Sequence, residues 1–179
     1  VIEPETAVAL PSDPEDLYDF LIHAGKSQRL DLQPRVESFL TDGHGFLRAA
    51  AIRVLTFYWK LAAHTPTALS LLTADPDPEV REAAAYGLSQ AHGDPAAIRA
   101  LLDVALASGE EDSLRDAAFH GVLVLCEVPR DEYPWEPLVP GFDAKADWGL
   151  LARCLHARGL PVPAELERRA GTSHGPTGG

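Results

Sequence analysis

Cysteine is scarce in this 179-residue sequence, and so is positive charge. The two cysteines, Cys126 and Cys154, are too few for the disulfide framework of a small secreted domain or for a zinc finger, and neither lies in a Cys-x-x-Cys pair. They are read as buried thiols in a reducing compartment. Lysine and arginine number 15 against 27 aspartates and glutamates, a formal net charge of −12. Nucleic acid is a dense row of phosphates met by a basic patch, so this balance argues against DNA or RNA as the ligand and favours a basic protein partner. No apolar run approaches the roughly 18 residues of a membrane span, because Arg48, Arg53 and Lys60 interrupt the best candidate. The opening Val1-Ile2-Glu3-Pro4 has neither the positive nor the apolar region of a secretory leader, and the expected location is cytoplasmic. Since residue 1 is not methionine, the reading allows for a module of a longer chain.

The motifs of common chemistries are missing as well. None of the seven histidines is followed by glutamate, so there is no His-Glu-x-x-His. Gly-x-Ser-x-Gly, phosphate-binding glycine loops and dinucleotide fingerprints are also absent. No metal, no cofactor and no catalytic residue is expected.

What the sequence does contain is a repeat. Leu47-Arg48-Ala49-Ala50-Ala51, Val80-Arg81-Glu82-Ala83-Ala84 and Leu114-Arg115-Asp116-Ala117-Ala118 begin 33 and 34 residues apart. That is the period of a solenoid built from helix pairs. In each copy apolar residues recur at i, i+3, i+4, i+7, i+8 and i+11, as in Val80, Ala83, Ala84, Gly87, Leu88 and Ala91. One helical face is therefore apolar, and its small residues suit close stacking. In the first copy this column ends on Tyr58. Shorter apolar stretches containing Phe39, Leu72 and Leu106 precede these helices and supply the first member of each pair. Turn residues separate the two members, and Asp77 before Pro78 marks a helix start: an N-cap followed by proline at the first helical position.

The stretch Asp75-Pro-Asp-Pro-Glu-Val-Arg-Glu-Ala-Ala-Ala-Tyr-Gly-Leu88 resembles the second-helix signature of HEAT-like repeats of the phycobilisome-lyase type. The resemblance is closest over residues 75–91, good over 109–125 and weaker over 42–58. It implies an all-α, right-handed α-solenoid of antiparallel helix pairs with degenerate terminal helices, about five pairs by the period. The expected organisation is an N-terminal segment and capping helix over 1–34, repeats over 35–126, a proline-rich loop over 127–144, capping helices over 145–170 and a flexible tail over 171–179. The His-Glu pairs used by the HEAT-like di-iron hydroxylases are absent.

Arg48, Arg81 and Arg115 recur at one position and are read as structural, each reaching a turn acid such as Asp42, Asp75 or Glu111 and carbonyls at a helix end. The resemblance also implies that the second helices line a concave groove. Two polar columns would then face it: Ala49, Glu82 and Asp116 in one, Arg53, Tyr86 and His120 in the other. Phe57, Tyr58 and Trp59 cannot all face one core, since consecutive helical residues point about 100° apart, and Phe57 joins the groove candidates. Tyr133 and Trp135 of the loop are further candidates. The expected function is non-enzymatic: a scaffold, regulator or immunity-like inhibitor that docks a basic protein. Glu79, Glu82, Glu110, Glu111, Asp112 and Asp116 supply the electrostatic bias, and Arg53, Phe57 and Tyr86 the anchors. The alternative is a small-ligand-binding or enzymatic protein, phycobilin-lyase-like or DNA-glycosylase-like, in which the 127–144 loop folds over the groove beside His120.

Overall fold

In the computed structural model, residues 10–133 and 139–172 are described, and every regular element among them is helical. Trp135 of the expected site lies outside the described residues. Helix α1 (Pro14–Lys26) starts where Asp13 accepts the backbone N–H of Glu15 at 2.9 Å and Pro14 takes the first helical position. Three pairs follow. α2 (Gln33–Ser38), continued by a 3-10 turn over Phe39–Thr41, pairs with α3 (Gly45–Arg53); α4 (Thr65–Ala74) pairs with α5 (Pro78–Leu88); and α6 (Pro95–Leu106) pairs with α7 (Asp112–Leu125). Asp77 and Asp94 cap α5 and α6 by accepting the N–H of Glu79 and Ala96 at 2.9 and 2.8 Å. The start expected at Asp77-Pro78 is therefore the one found.

The second helices form the tightest row. α3, α5 and α7 stack on one another through Ala49, Ala83, Ala84, Ala85, Ala117 and Ala118, whose small side chains let the backbones approach. Gly87 is where α5 comes closest to the segment that follows α3: a Cβ there would collide with the Thr56 side chain. α1 covers the N-terminal end of the row by packing on α3 and on Val54–Tyr58.

Val54–Tyr58 is a turn of π-helix, which inserts an extra residue into the helical count. It moves the end of the apolar column. Trp59 takes the buried place, while Tyr58 is half-buried with its ring against Gly25 of α1 and Phe57 is left exposed. Thr56, buried here, donates its hydroxyl to the Ile52 carbonyl at 2.6 Å, a partner within the helix for a group that would otherwise be costly to bury.

Each recurring arginine bonds forward, to the turn acid of the next repeat. Arg48 forks onto Asp75 at 2.9 and 2.8 Å while also donating to the Asp42 carbonyl at 2.8 Å. Arg81 meets Glu110 at 2.7 Å, so the acid is Glu110 and not the expected Glu111. Arg115, only 2% exposed, forks onto Asp143 at 2.9 and 2.6 Å, donates to the Ala105 carbonyl and lies 4.5 Å from the centre of the Phe142 ring. Asp143 thus occupies the turn position of a fourth repeat.

That repeat is assembled out of order. After the 127–144 segment, which ends in a short helix α8 (Phe142–Lys145), α9 (Trp148–Ala157) stacks beside α7 as the second helix of the pair. Its partner comes from behind: α10 (Ala164–Thr172) folds back onto α9. Near its C-terminal end, Arg169 donates to the Leu106 carbonyl at the end of α6 at 3.0 Å, meets Asp143 at 2.6 Å and sits 4.8 Å from the Trp148 ring at the start of α9. α10 therefore runs in the direction of a first helix and supplies the one that the 127–144 segment does not. Instead of the expected five pairs, the described residues hold α1, three pairs in sequence order and this reversed one.

Candidate functional site

Six of the expected site residues lie on the polar side of the α3, α5, α7 row, and the stacking brings five of them next to one another. Arg53, in the last turn of α3, places its guanidinium 6.0 Å from the centre of the Tyr86 ring on α5. Tyr86 is one of four large hydrophobic or aromatic residues left markedly exposed, at 39%. Its partial burial, together with the charges of Glu82 and Asp116, pushes its phenol above the ordinary tyrosine range, while Arg53 pulls the other way. The tyrosine thus sits between one cation and two carboxylates contributed by three successive second helices.

On α7, His120 Nδ1 lies 3.0 Å from Asp116 Oδ1 and 3.0 Å from the Asp116 carbonyl oxygen, as the four-residue spacing allows. Tyr133, where the 127–144 segment leaves its 3-10 turn Arg130–Glu132, stands with its ring 6.1 Å from that of His120. Burial pushes the Tyr133 phenol up. Phe57, four residues past Arg53, is 38% exposed and packs edge-on against Tyr58 with ring centres 5.5 Å apart.

Between α1, α3 and α5 the row opens into a cleft of about 280 Å³ lined by Tyr18, Ala49, Ala50, Arg53, Glu79 and Glu82. Ala49 explains the opening. It stands in the column filled by Glu82 and Asp116 in the next two repeats, and its short side chain leaves space that longer ones would occupy. Tyr18 closes the cleft from α1 and was not expected there. The periodic positions of that helix, Leu17, Phe20, Leu21 and Ala24, mark its apolar face, and Tyr18 sits on the shoulder of that face where periodicity gives no signal.

The six acids expected to give the surface its sign do two different jobs. Glu110 is held by Arg81, and Asp112 accepts the backbone N–H groups of Gly141 and Phe142 at 3.1 and 3.3 Å. These two belong to the scaffold. Glu79 and Glu82 line the cleft, Glu111 is exposed at the head of α7, and Asp116 faces His120. Among the described residues no group of three or more histidine, cysteine, aspartate or glutamate side chains is arranged to hold a metal ion, and no helix is long and apolar enough to cross a membrane.

A family model for HEAT repeats matches residues 32–122, just over half of the chain. No curated protein and no solved structure matches it.

Proposed function

The chain belongs to the HEAT-repeat family, whose members generally mediate protein–protein interaction, and from that premise we propose that the polar side of the α3, α5, α7 row docks a basic segment of a partner protein. The observation that carries this is Tyr86: an exposed aromatic flanked by Arg53, Glu82 and Asp116 on three stacked helices. Tyrosine and arginine are the residue types that anchor interfaces, because each combines a flat apolar face with a polar end. The carboxylates of Glu79, Glu82 and Asp116 attract a cationic chain at a distance and fix its register on contact. Phe57 extends the aromatic surface and Tyr133 borders it beside His120. The role that follows is that of a scaffold, regulator or immunity-like inhibitor in the cytoplasm, acting by binding and without chemistry of its own.

The test is affinity capture with the full chain at low and moderate salt, run in parallel with an E82K/D116K double variant and with Tyr86→Ala. The expected result is a basic protein retained in stoichiometric amount by the wild type, released as salt rises, and lost from both variants while their helical melts stay within a few degrees of wild type. A partner that both variants retain, or one whose binding is indifferent to salt, would refute this reading.

A further inference from the structure

The two cysteines lie 28 positions apart in sequence and meet in the core. Cys126 ends α7, and Cys154 lies on α9; both thiols are free, and the residues are 7% and 8% exposed. The side chains are in hydrogen-bonding contact with each other. Cys154 also donates to the Leu151 carbonyl at 3.1 Å. One turn beyond Cys154, Arg158 donates from Nε and Nη2 to the Cys126 carbonyl at 3.2 and 3.1 Å, which ties the end of α7 to the end of α9 at this point. The environments of the two sulfurs differ. The hydrogen bond from Cys154, aided by the Arg158 charge, holds the Cys126 thiol below the ordinary range, whereas that same bond and burial push Cys154 up. Such a division suits an attacking and a resolving thiol.

We propose that Cys126 and Cys154 form a hydroperoxide-responsive dithiol, whose disulfide clamps α9, and with it α10, to α7. The Cys126 thiolate attacks one oxygen of the peroxide. The O–O bond breaks, and the departing hydroxide leaves as water with the proton that Cys126 gave up. The Cys154 sulfur then attacks the sulfenic sulfur of Cys126; the S–O bond breaks and the second hydroxide leaves as water with the Cys154 proton. Two thiols lose two electrons in total and one peroxide gains them. A small oxidant is needed because the pair is nearly closed to solvent. The bridge would close a loop containing the whole 127–144 segment and would fix the one repeat whose helices are not joined in the regular order.

The full chain is treated with a small excess of hydrogen peroxide, unfolded, alkylated with iodoacetamide and weighed intact. The expected product is a monomer lighter by two hydrogen atoms with no alkyl label, returning to two labels after dithiothreitol. Its thermal midpoint should rise by roughly 5–10 °C over the reduced chain. In Cys154→Ser the sulfenic acid should persist on Cys126 and be trapped by dimedone; in Cys126→Ser, Cys154 should take no dimedone over the same time. Two labels retained after peroxide, oxygen added to one sulfur without a bridge, chains linked to each other, or a bridge that leaves the melt unmoved would each overturn the proposal. The measurements on the wild-type chain decide it even where a variant folds poorly.

Discussion

Arg115 is the side chain on which most contacts converge. It is buried to 2%, forks onto Asp143, satisfies the Ala105 carbonyl and stacks on Phe142, so removing it uncovers acceptors on two elements at once. Arg115→Ala should therefore cost roughly 3 kcal/mol in urea unfolding, against about 1 kcal/mol for Arg81→Ala, whose pair with Glu110 is more open to water. Equal losses would mean that the ladder acts only through its charges. The same ladder sets a dependence on pH. Asp75 is held below the ordinary carboxylate range by its hydrogen bonds from Arg48, and Asp143 likewise by Arg115. A carboxyl whose folded pKa is depressed adds stability above its unfolded value near 4, and that contribution disappears as pH falls through the folded value. Unfolding free energy measured from pH 5 downward should fall steeply below about pH 4 in the wild type. Asp75→Asn should start lower at pH 5 and fall less.

At the scale of helices, the contact between α5 and Thr56 runs against intrinsic preference. Alanine is better than glycine inside a helix by about 1 kcal/mol, yet a Cβ at Gly87 would collide with the Thr56 side chain. Gly87→Ala should destabilise the protein by roughly 1–3 kcal/mol, and adding Thr56→Ala should recover part of the loss; a stabilised single variant would show that the helices part easily. This position is also instructive about reading a sequence. The period of 33 and 34 residues, the apolar columns and the arginine after the first apolar position are local patterns, and they placed the three central helix pairs and the two polar columns. The π-turn at Val54–Tyr58 is not a local pattern. It depends on how α1 and α5 press on the end of α3, which is why the buried aromatic proved to be Trp59 when periodicity pointed to Tyr58. Tyr18 escaped for a related reason: that it closes a cleft becomes visible only once Ala49 and Glu82 are in place beside it.

For the molecule as a whole, the reversed final repeat matters most. Nothing in the pattern of residues 164–172 shows that they return to stand beside α6 and α9; the direction comes from Arg169 meeting Leu106, Asp143 and Trp148 together. A chain truncated after Ala157 should expose the flank of Leu155 and Trp148, so hydrogen exchange should show α9 losing protection while α3 and α5 keep theirs. Uniform loss of protection would make the array one cooperative unit. The forward-pointing ladder has a corollary for anyone who would rebuild the array. At its head, Asp42 is satisfied by the N–H and Nδ1 of its own His44; at its foot, Gly149 stands where the other repeats carry arginine, and Asp143 already accepts two guanidinium groups. Both ends are electrostatically spoken for. A transplanted repeat would find a donor waiting behind it and an acceptor ahead of it only if it were spliced into the middle, so this scaffold lengthens by insertion and resists concatenation.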